Sequence, residues 1–287
     1  MKAIYKKEVK SYLTSMIGYV FIFFILLLEG IYFTAYNLQN AYSLFGTTLS
    51  AVTFIFLILV PVLTMKTIAE ERKQKTDQLL LTAPVSVSEI VLGKFLAVAT
   101  VYAIPVLIIC LYPMIMGKYG TVSYAMAYTA VLGFALLGFA QIAVGVFWSS
   151  VTENPVIAAV VTFIALFVCY MITGIGSLIP DSSMASLACY MLLVLLAAVW
   201  IYHMIRNLWI AAVIGIAGEA ALAITYVVKS TLFEGSIQKF LSVFDITSHF
   251  DNFTNGILDL QGVVYFLSVI IIFLVLTVQT ITKRRWN

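Results

Sequence analysis

Two carboxylates stand where a carboxylate is costly: Glu29 in an apolar run over residues 16–36 and Glu219 in another over 208–228. Ionisable side chains at membrane depth are functional candidates by default, because hydrocarbon penalises the charge unless a partner or a wet cavity relieves it. A proton-coupled carrier would hold such residues in an inward-facing cavity and load and unload them in each cycle. Glu29 falls in the outer half of its run, and neither residue has an evident basic partner. Packing, or a hydrogen bond to a neighbouring helix, is the competing reading of both. A place on a transport path is the sharper one.

Little else in the chain could do chemistry. Cys110, Cys169 and Cys189 each lie inside apolar runs and form no C-x-x-C pair, and His203 and His249 stand far apart with no partner motif. Neither a metal site nor a disulfide framework is expected. No G-x-x-x-x-G-K-[ST] loop occurs to cradle nucleotide phosphates, and no H-E-x-x-H or G-x-S-x-G motif. The expectation is a protein that is not an enzyme and binds no cofactor directly. Energy for any transport must come from a partner or from an ion gradient.

The residues that must position these groups are overwhelmingly apolar. Hydrophobic residues make up 63% of the 287 and charged residues 10%, with a mean hydropathy of +1.07. A soluble domain runs near roughly 45–50% apolar and 25% charged, so this chain cannot cover itself with polar surface. Apolar runs of about 20 residues recur, the length a helix needs to cross hydrocarbon, and the period-2 alternation of a membrane barrel is missing. The fold class expected is an all-α polytopic membrane protein of about six to eight transmembrane helices, one domain over 1–287. The expected spans are 16–36, 51–65, 90–116 with a kink at Pro105, 124–148, 156–179, 185–202, 208–228 and 263–281. Residues 185–228 could instead form a half-inserted hairpin, but that would sink Arg206 into the bilayer. The first run is too long for a signal-peptide core and lacks a cleavage site, so it reads as a retained helix. Spacings such as Ala211-x-x-x-Gly215 and Ala217-x-x-x-Ala221 suit close helix packing.

Loop charge sets the orientation. With the N-terminus in the cytoplasm and every span crossing, all of the 16 basic residues lie on the cytoplasmic side except Lys118, Lys229 and Lys239. Asp181, Glu234, Asp245, Asp251 and Asp259 fall outside. Both termini are then cytoplasmic. Mapped this way, the +3 charge implies a lipid bilayer and no nucleic acid as partner.

The most informative loop covers 66–84, where a charged stretch ends in three leucines. Good helix formers run to Leu81, and Pro84 stops the helix. Leu79, Leu80 and Leu81 facing water would be a liability unless they dock on a partner or rest in the lipid interface. Residues 1–14 alternate Ile4, Tyr5, Val9, Tyr12 and Leu13 with Lys2, Lys6, Lys7 and Lys10 at near-helical spacing. They form either an amphipathic interface helix or a merely basic flank that fixes topology. Residues 229–261 make a polar, acidic segment on the outer side, suited to an accessory protein or to the outer leaflet.

Residues Ala69-Glu70-Glu71, Thr76, Leu79-Leu80-Leu81-Thr82, Pro84 and Leu92-Gly93-Lys94-Phe95 together resemble ABC-2-type export permeases. So does the C-terminal set Phe244-Asp245, Ser248-His249-Phe250, Phe253, Gly256, Asp259, Tyr265-Phe266-Leu267 and Arg284-Arg285-Trp286. The likeness is nearest to the gliding-motility and nitrous-oxide-reductase-maturation permeases and spans most of the chain. Family members often carry Gly-Thr-x-Glu where this chain has Lys75-Thr76-Asp77-Gln78. The resemblance implies a bacterial inner-membrane permease that exports its cargo. It would dimerise with a second copy or a homologous permease, and in some relatives an extracytoplasmic accessory subunit is added. The loop would be a coupling helix seated on a cytoplasmic ABC ATPase subunit, which holds the ATP and Mg²⁺. Its contact residues would be Glu70, Glu71, Arg72, Thr76, Gln78, Leu79, Leu80, Leu81, Thr82 and Pro84. Lys6, Lys7 and Lys10 would lie at the membrane interface. Two other classes remain open: a secondary carrier working through Glu219 or Glu29, and a scaffold or assembly factor that transports nothing.

Overall fold

A computed structural model describes residues 1–78 and 85–285; of the coupling-loop residues, Leu79, Leu80, Leu81, Thr82 and Pro84 lie outside the described residues, as does Trp286. The described chain is helical throughout, with no strand. Six helices are long and apolar enough to cross a membrane: Met16–Gln39, Val87–Tyr119, Tyr124–Val151, Pro155–Ser177, Ser183–His203 and Leu260–Arg285. Two bent pairs, Phe45–Thr53 with Phe56–Thr64 and Ala212–Val228 with Ser230–Ser242, raise the number to eight if each is one span. The expected polytopic helical class holds.

The chain divides into two compact units, Met1–Val168 with Ile246–Asn287, and Cys169–Asp245. At the centre of the first stands the Tyr124–Val151 helix. It packs on Leu260–Arg285, Phe56–Thr64, Phe45–Thr53 and Val87–Ile109. Glycines let those neighbours approach: a Cβ at Gly138 would strike the Tyr102 ring and one at Gly145 the Thr64 side chain. The core there is aromatic, with Phe56 4.9 Å from Phe134 and 5.7 Å from Tyr102 by ring centroids. The Tyr102 hydroxyl donates to the Phe134 carbonyl at 2.7 Å, which satisfies its one buried polar atom.

In the second unit, Ser183–Ile205 and Leu208–Val228 pack together across a turn at Arg206, which adopts a left-handed φ of 53°. At 23 and 21 residues each matches the length of a full crossing. A Cβ at Gly218 would sit 2.9 Å from Val194 and one at Gly215 3.2 Å from Ala198. Gly215, one of the residues the spacing picks out, and Gly218, which it does not, thus let this helix pair pack closely.

Three local expectations change. The second span is two helices meeting at 60° rather than one run. Near the break the Thr53 hydroxyl donates to the Ser50 carbonyl at 2.7 Å, a local bond that competes with the helical ladder. The third run holds Pro105 inside the continuous helix Val87–Ile109 and carries a further interruption at Cys110–Leu111, before Pro113. Most consequential, the helix expected over the 66–84 loop is interrupted among the described residues: Ala69–Lys73 is followed by a turn through Gln74–Thr76, and Asp77 and Gln78 are helical again. Lys75 takes a left-handed φ of 57° there, at the position where the resemblance places glycine. An L-residue pays roughly 1–2 kcal/mol for that region. Lys75→Gly is accordingly expected to stabilise the detergent-solubilised protein by about 1 kcal/mol, less the added freedom of the unfolded chain. A lower midpoint on denaturant titration would show that the Lys75 side chain contributes more than its backbone costs.

Candidate coupling site at the charged end of the first unit

The first helix, Lys2–Thr14, ends at Ser15, whose extended backbone (φ −92°, ψ 151°) turns the chain into the first span. The turn is tight, because a Cβ at Gly18 would collide with the Tyr12 carbonyl. The helix packs on Val87–Ile109 through a face carrying Tyr5, Glu8 and Tyr12. Tyr5 shares a hydrogen bond of 3.0 Å with the Thr100 hydroxyl. The Tyr12 hydroxyl lies 3.1 Å from the Leu63 carbonyl and 3.1 Å from Thr67 Oγ1. Burial above all, with the nearby charges of Glu8, Glu70 and Glu71, pushes the Tyr12 phenol above its ordinary pKa. It therefore stays a donor throughout the working range.

Ser86 caps the N-terminus of Val87–Ile109, accepting from the Glu89 N–H at 3.3 Å, the Ser-x-x-Glu start of a capping box. Two turns on, Lys94 is buried, with 2% of its side chain exposed. Its Nζ lies 3.1 Å from Glu8 Oε1 and 2.9 Å from Glu71 Oε2, and donates to the Thr67 carbonyl at 2.8 Å. All three ammonium protons thus have acceptors, the condition under which a buried charge is tolerated. Lys7 adds a second, more exposed contact to Glu71 at 3.4 Å.

Residues 65–78 are also fastened to the central helix. Ser149 Oγ accepts the N–H groups of Ile68 and Ala69 at 3.1 Å each and donates to the Met65 carbonyl. Arg72 reaches back with Nη1 to the carbonyls of Ser150 and Thr152, the latter at 3.0 Å, at the C-terminus of Tyr124–Val151. Its pKa is lowered by burial first and by Arg284 second, against the pull of Glu153 and Asp77. Arg284 of the last helix pairs with Glu153 at 2.7 Å and with Asp77 at 3.8 Å. The loop is thereby joined to the first helix, to Val87–Ile109, to the end of the central helix and to the end of Leu260–Arg285.

Among the expected coupling residues, Glu71 and Arg72 face inward and do this fastening. Glu70 makes only an exposed pair with Lys66 at 3.5 Å, of the kind that contributes little. Thr76 and Gln78 are exposed. Lys6 and Lys10 are exposed, whereas Lys7 turns toward Glu71. Glu8, Ser149, Glu153 and Arg284 escaped the sequence reading as a cluster. The one available signal was that Glu8 is the lone acid among the lysines of the first helix, and Lys94 the lone cation of its apolar run.

The two membrane carboxylates are not brought to this site, and they fall in different units. The hydrogen bond considered for them is not made: no oxygen of Glu29 or Glu219 has a partner among the described residues. Glu29 is fully buried. Glu219 borders a groove of about 630 Å³ lined by Leu195, Ala198, Tyr202, Gly215 and Ala223. A buried carboxyl without a hydrogen bond costs about 1–3 kcal/mol. Glu29→Leu is therefore expected to stabilise the protein by about that much on denaturant titration, and destabilisation would show that the carboxyl is held by something it needs.

No curated protein and no solved structure matches the chain. The profile of the ABC-2 family transporter proteins matches residues 2–284, from the first helix to Arg284 in the ion cluster, and the chain therefore belongs to the ABC-2 transporter family, as a multi-pass membrane permease component.

Proposed function

We propose that this chain is the permease of an ATP-driven exporter and that residues 66–84 are the point at which a separate cytoplasmic ABC ATPase subunit moves it. Members of the family are transport subunits without an ATPase of their own. The observation that supports the loop's role is its fastening to four other elements through Glu71, Arg72, Asp77 and the Ser149 hydroxyl. A displacement applied to the exposed side of so short a segment is passed to all of them at once, because packed helices shift as rigid bodies. The same cluster gathers the first helix, the 65–78 loop, Glu153 and Arg284, all segments that loop charge assigns to the cytoplasm. Their meeting at one end is what an orientation with both termini inside requires; the inner membrane of a bacterium rests on the motif resemblance alone. On this reading the first helix lies along the inner leaflet. ATP and Mg²⁺ belong to the partner, and two permeases and two ATPase subunits make the working assembly. An accessory subunit on the outer side and kinship with the gliding-motility and nitrous-oxide-reductase-maturation permeases rest on the motif residues alone.

The test is co-purification with the ABC ATPase encoded beside this gene. Wild type should retain it. Leu80→Asp should lose it while remaining monodisperse. Equal retention by the variant would remove the loop from the ATPase interface. The unpartnered Glu219 and Glu29 favour one rival, a proton-coupled carrier. Glu219→Gln with Glu29→Gln should leave ATP-dependent export intact here, and would abolish flux in a carrier.

A further inference from the structure

The lysines of the first helix play two different parts. Lys2, Lys6 and Lys10 recur at i, i+4 and i+8 and so form one stripe along Lys2–Thr14. Lys7 lies about 100° away around the helix, where it meets Glu71 and Glu8 at 3.4 and 4.0 Å. The three stripe lysines are exposed, and among the described residues none has a carboxylate within ion-pair distance. Behind them, on the other side of the helix, Glu8 and Tyr12 are buried. The half-buried Val9 and Leu13 border the stripe.

This is a row of three uncompensated ammonium groups roughly 12 Å long, at 1.5 Å per residue, on a helix already fixed to the protein by its opposite face. The aliphatic border decides what kind of anion suits it. A free anion would gain nothing from Val9 and Leu13, and an acidic protein would gain from them only by bringing an apolar surface of its own. A lipid surface buries them at the headgroup boundary while its phosphates take the ammonium groups. We propose that Lys2, Lys6 and Lys10 bind the phosphates of anionic phospholipids, and that this binding holds the first helix in the position from which Glu8 and Lys7 engage Lys94 and Glu71. Lipid charge thereby sets the order of the 66–78 loop. The proposal rests on the reading of the first helix as an interface helix, and goes beyond it in assigning a ligand, a set of residues and a consequence.

The experiment is hydrogen–deuterium exchange on the full-length chain in nanodiscs of phosphatidylcholine, with or without phosphatidylglycerol. In wild type, phosphatidylglycerol should slow exchange over residues 2–14 about tenfold or more, with a smaller slowing over 66–78. Lys2→Gln/Lys6→Gln/Lys10→Gln should lose that response. Lys73→Gln/Lys283→Gln/Arg285→Gln, which removes as many exposed charges elsewhere, should keep it. Inorganic phosphate added to phosphatidylcholine discs should have no effect; if it reproduced the slowing, the headgroup assignment would be overturned. An equal response in the stripe variant, or none in wild type, overturns the proposal as well. If residues 2–14 are protected alike in both lipids, the interface-helix reading survives without the lipid site. Exchange at free-chain rates in every disc removes both.

Discussion

Lys94→Met is expected to destabilise the protein by about 3–5 kcal/mol, the usual result of removing one partner from a buried ion cluster. The volume is nearly conserved, so the loss comes from what remains. Glu8 and Glu71, with 11% and 15% of their side chains exposed, would be left with only the exposed Lys7, 4.0 and 3.4 Å away, to offset them, and the Thr67 carbonyl would lose its donor. The triple change Lys94→Met/Glu8→Gln/Glu71→Gln should recover most of the stability, because an apolar or neutral replacement of a whole buried cluster is often tolerated. Recovery of fold without recovery of function is the informative outcome. In the proposed exporter the triple variant should bind the ATPase and hydrolyse ATP, yet transport poorly, since the first helix and the loop would no longer move together. A single variant that unfolds at the wild-type denaturant concentration would show that the cluster is already wet and contributes little.

How much of this was legible in the sequence depends on the range of the interaction. The spans were legible because a membrane reads composition over about 20 residues, and no distant contact can rescue a polar stretch in hydrocarbon. Glu71 and Arg72 were legible as charged residues of the informative loop, but not the partners they hold within this chain. Glu8 and Lys94 are 86 positions apart, and Arg284 and Glu153 are 131 apart. No spacing rule links residues at such separations. The break in the loop helix was hidden for a related reason. Its residues have helical propensity, yet Glu71 is held by Lys94 and Arg72 by the end of the central helix, and between these contacts and Asp77, where helix resumes, the chain turns, because tertiary contacts override propensity. Lys75 then absorbs the change of direction at a left-handed φ. The glycine that the resemblance places there was visible as a departure, but without the fold it could not be read as a turn.

Arg72→Ala is expected to cost about 2–4 kcal/mol, and Arg72→Lys about half of that. The carbonyls of Ser150 and Thr152 stand at a helix C-terminus, where the last carbonyl groups lack helical partners and the macrodipole is negative. One guanidinium answers both, with 8% of its side chain exposed. Alanine leaves those acceptors poorly solvated and also removes the cation that faces Glu153 at 3.4 Å. Lysine restores the charge but not the planar fork, so it can satisfy one carbonyl well and the other poorly. The difference between the two variants separates the electrostatic contribution from the geometric one. It should not vary with pH: although burial lowers the Arg72 pKa, a guanidinium is not deprotonated in proteins. Denaturant midpoints of the three proteins decide the matter. If lysine matches arginine, a positive charge near the helix end is all that is required. If lysine matches alanine, the loop is held by the fork, and the 65–78 segment is fastened to the central helix by geometry more than by charge.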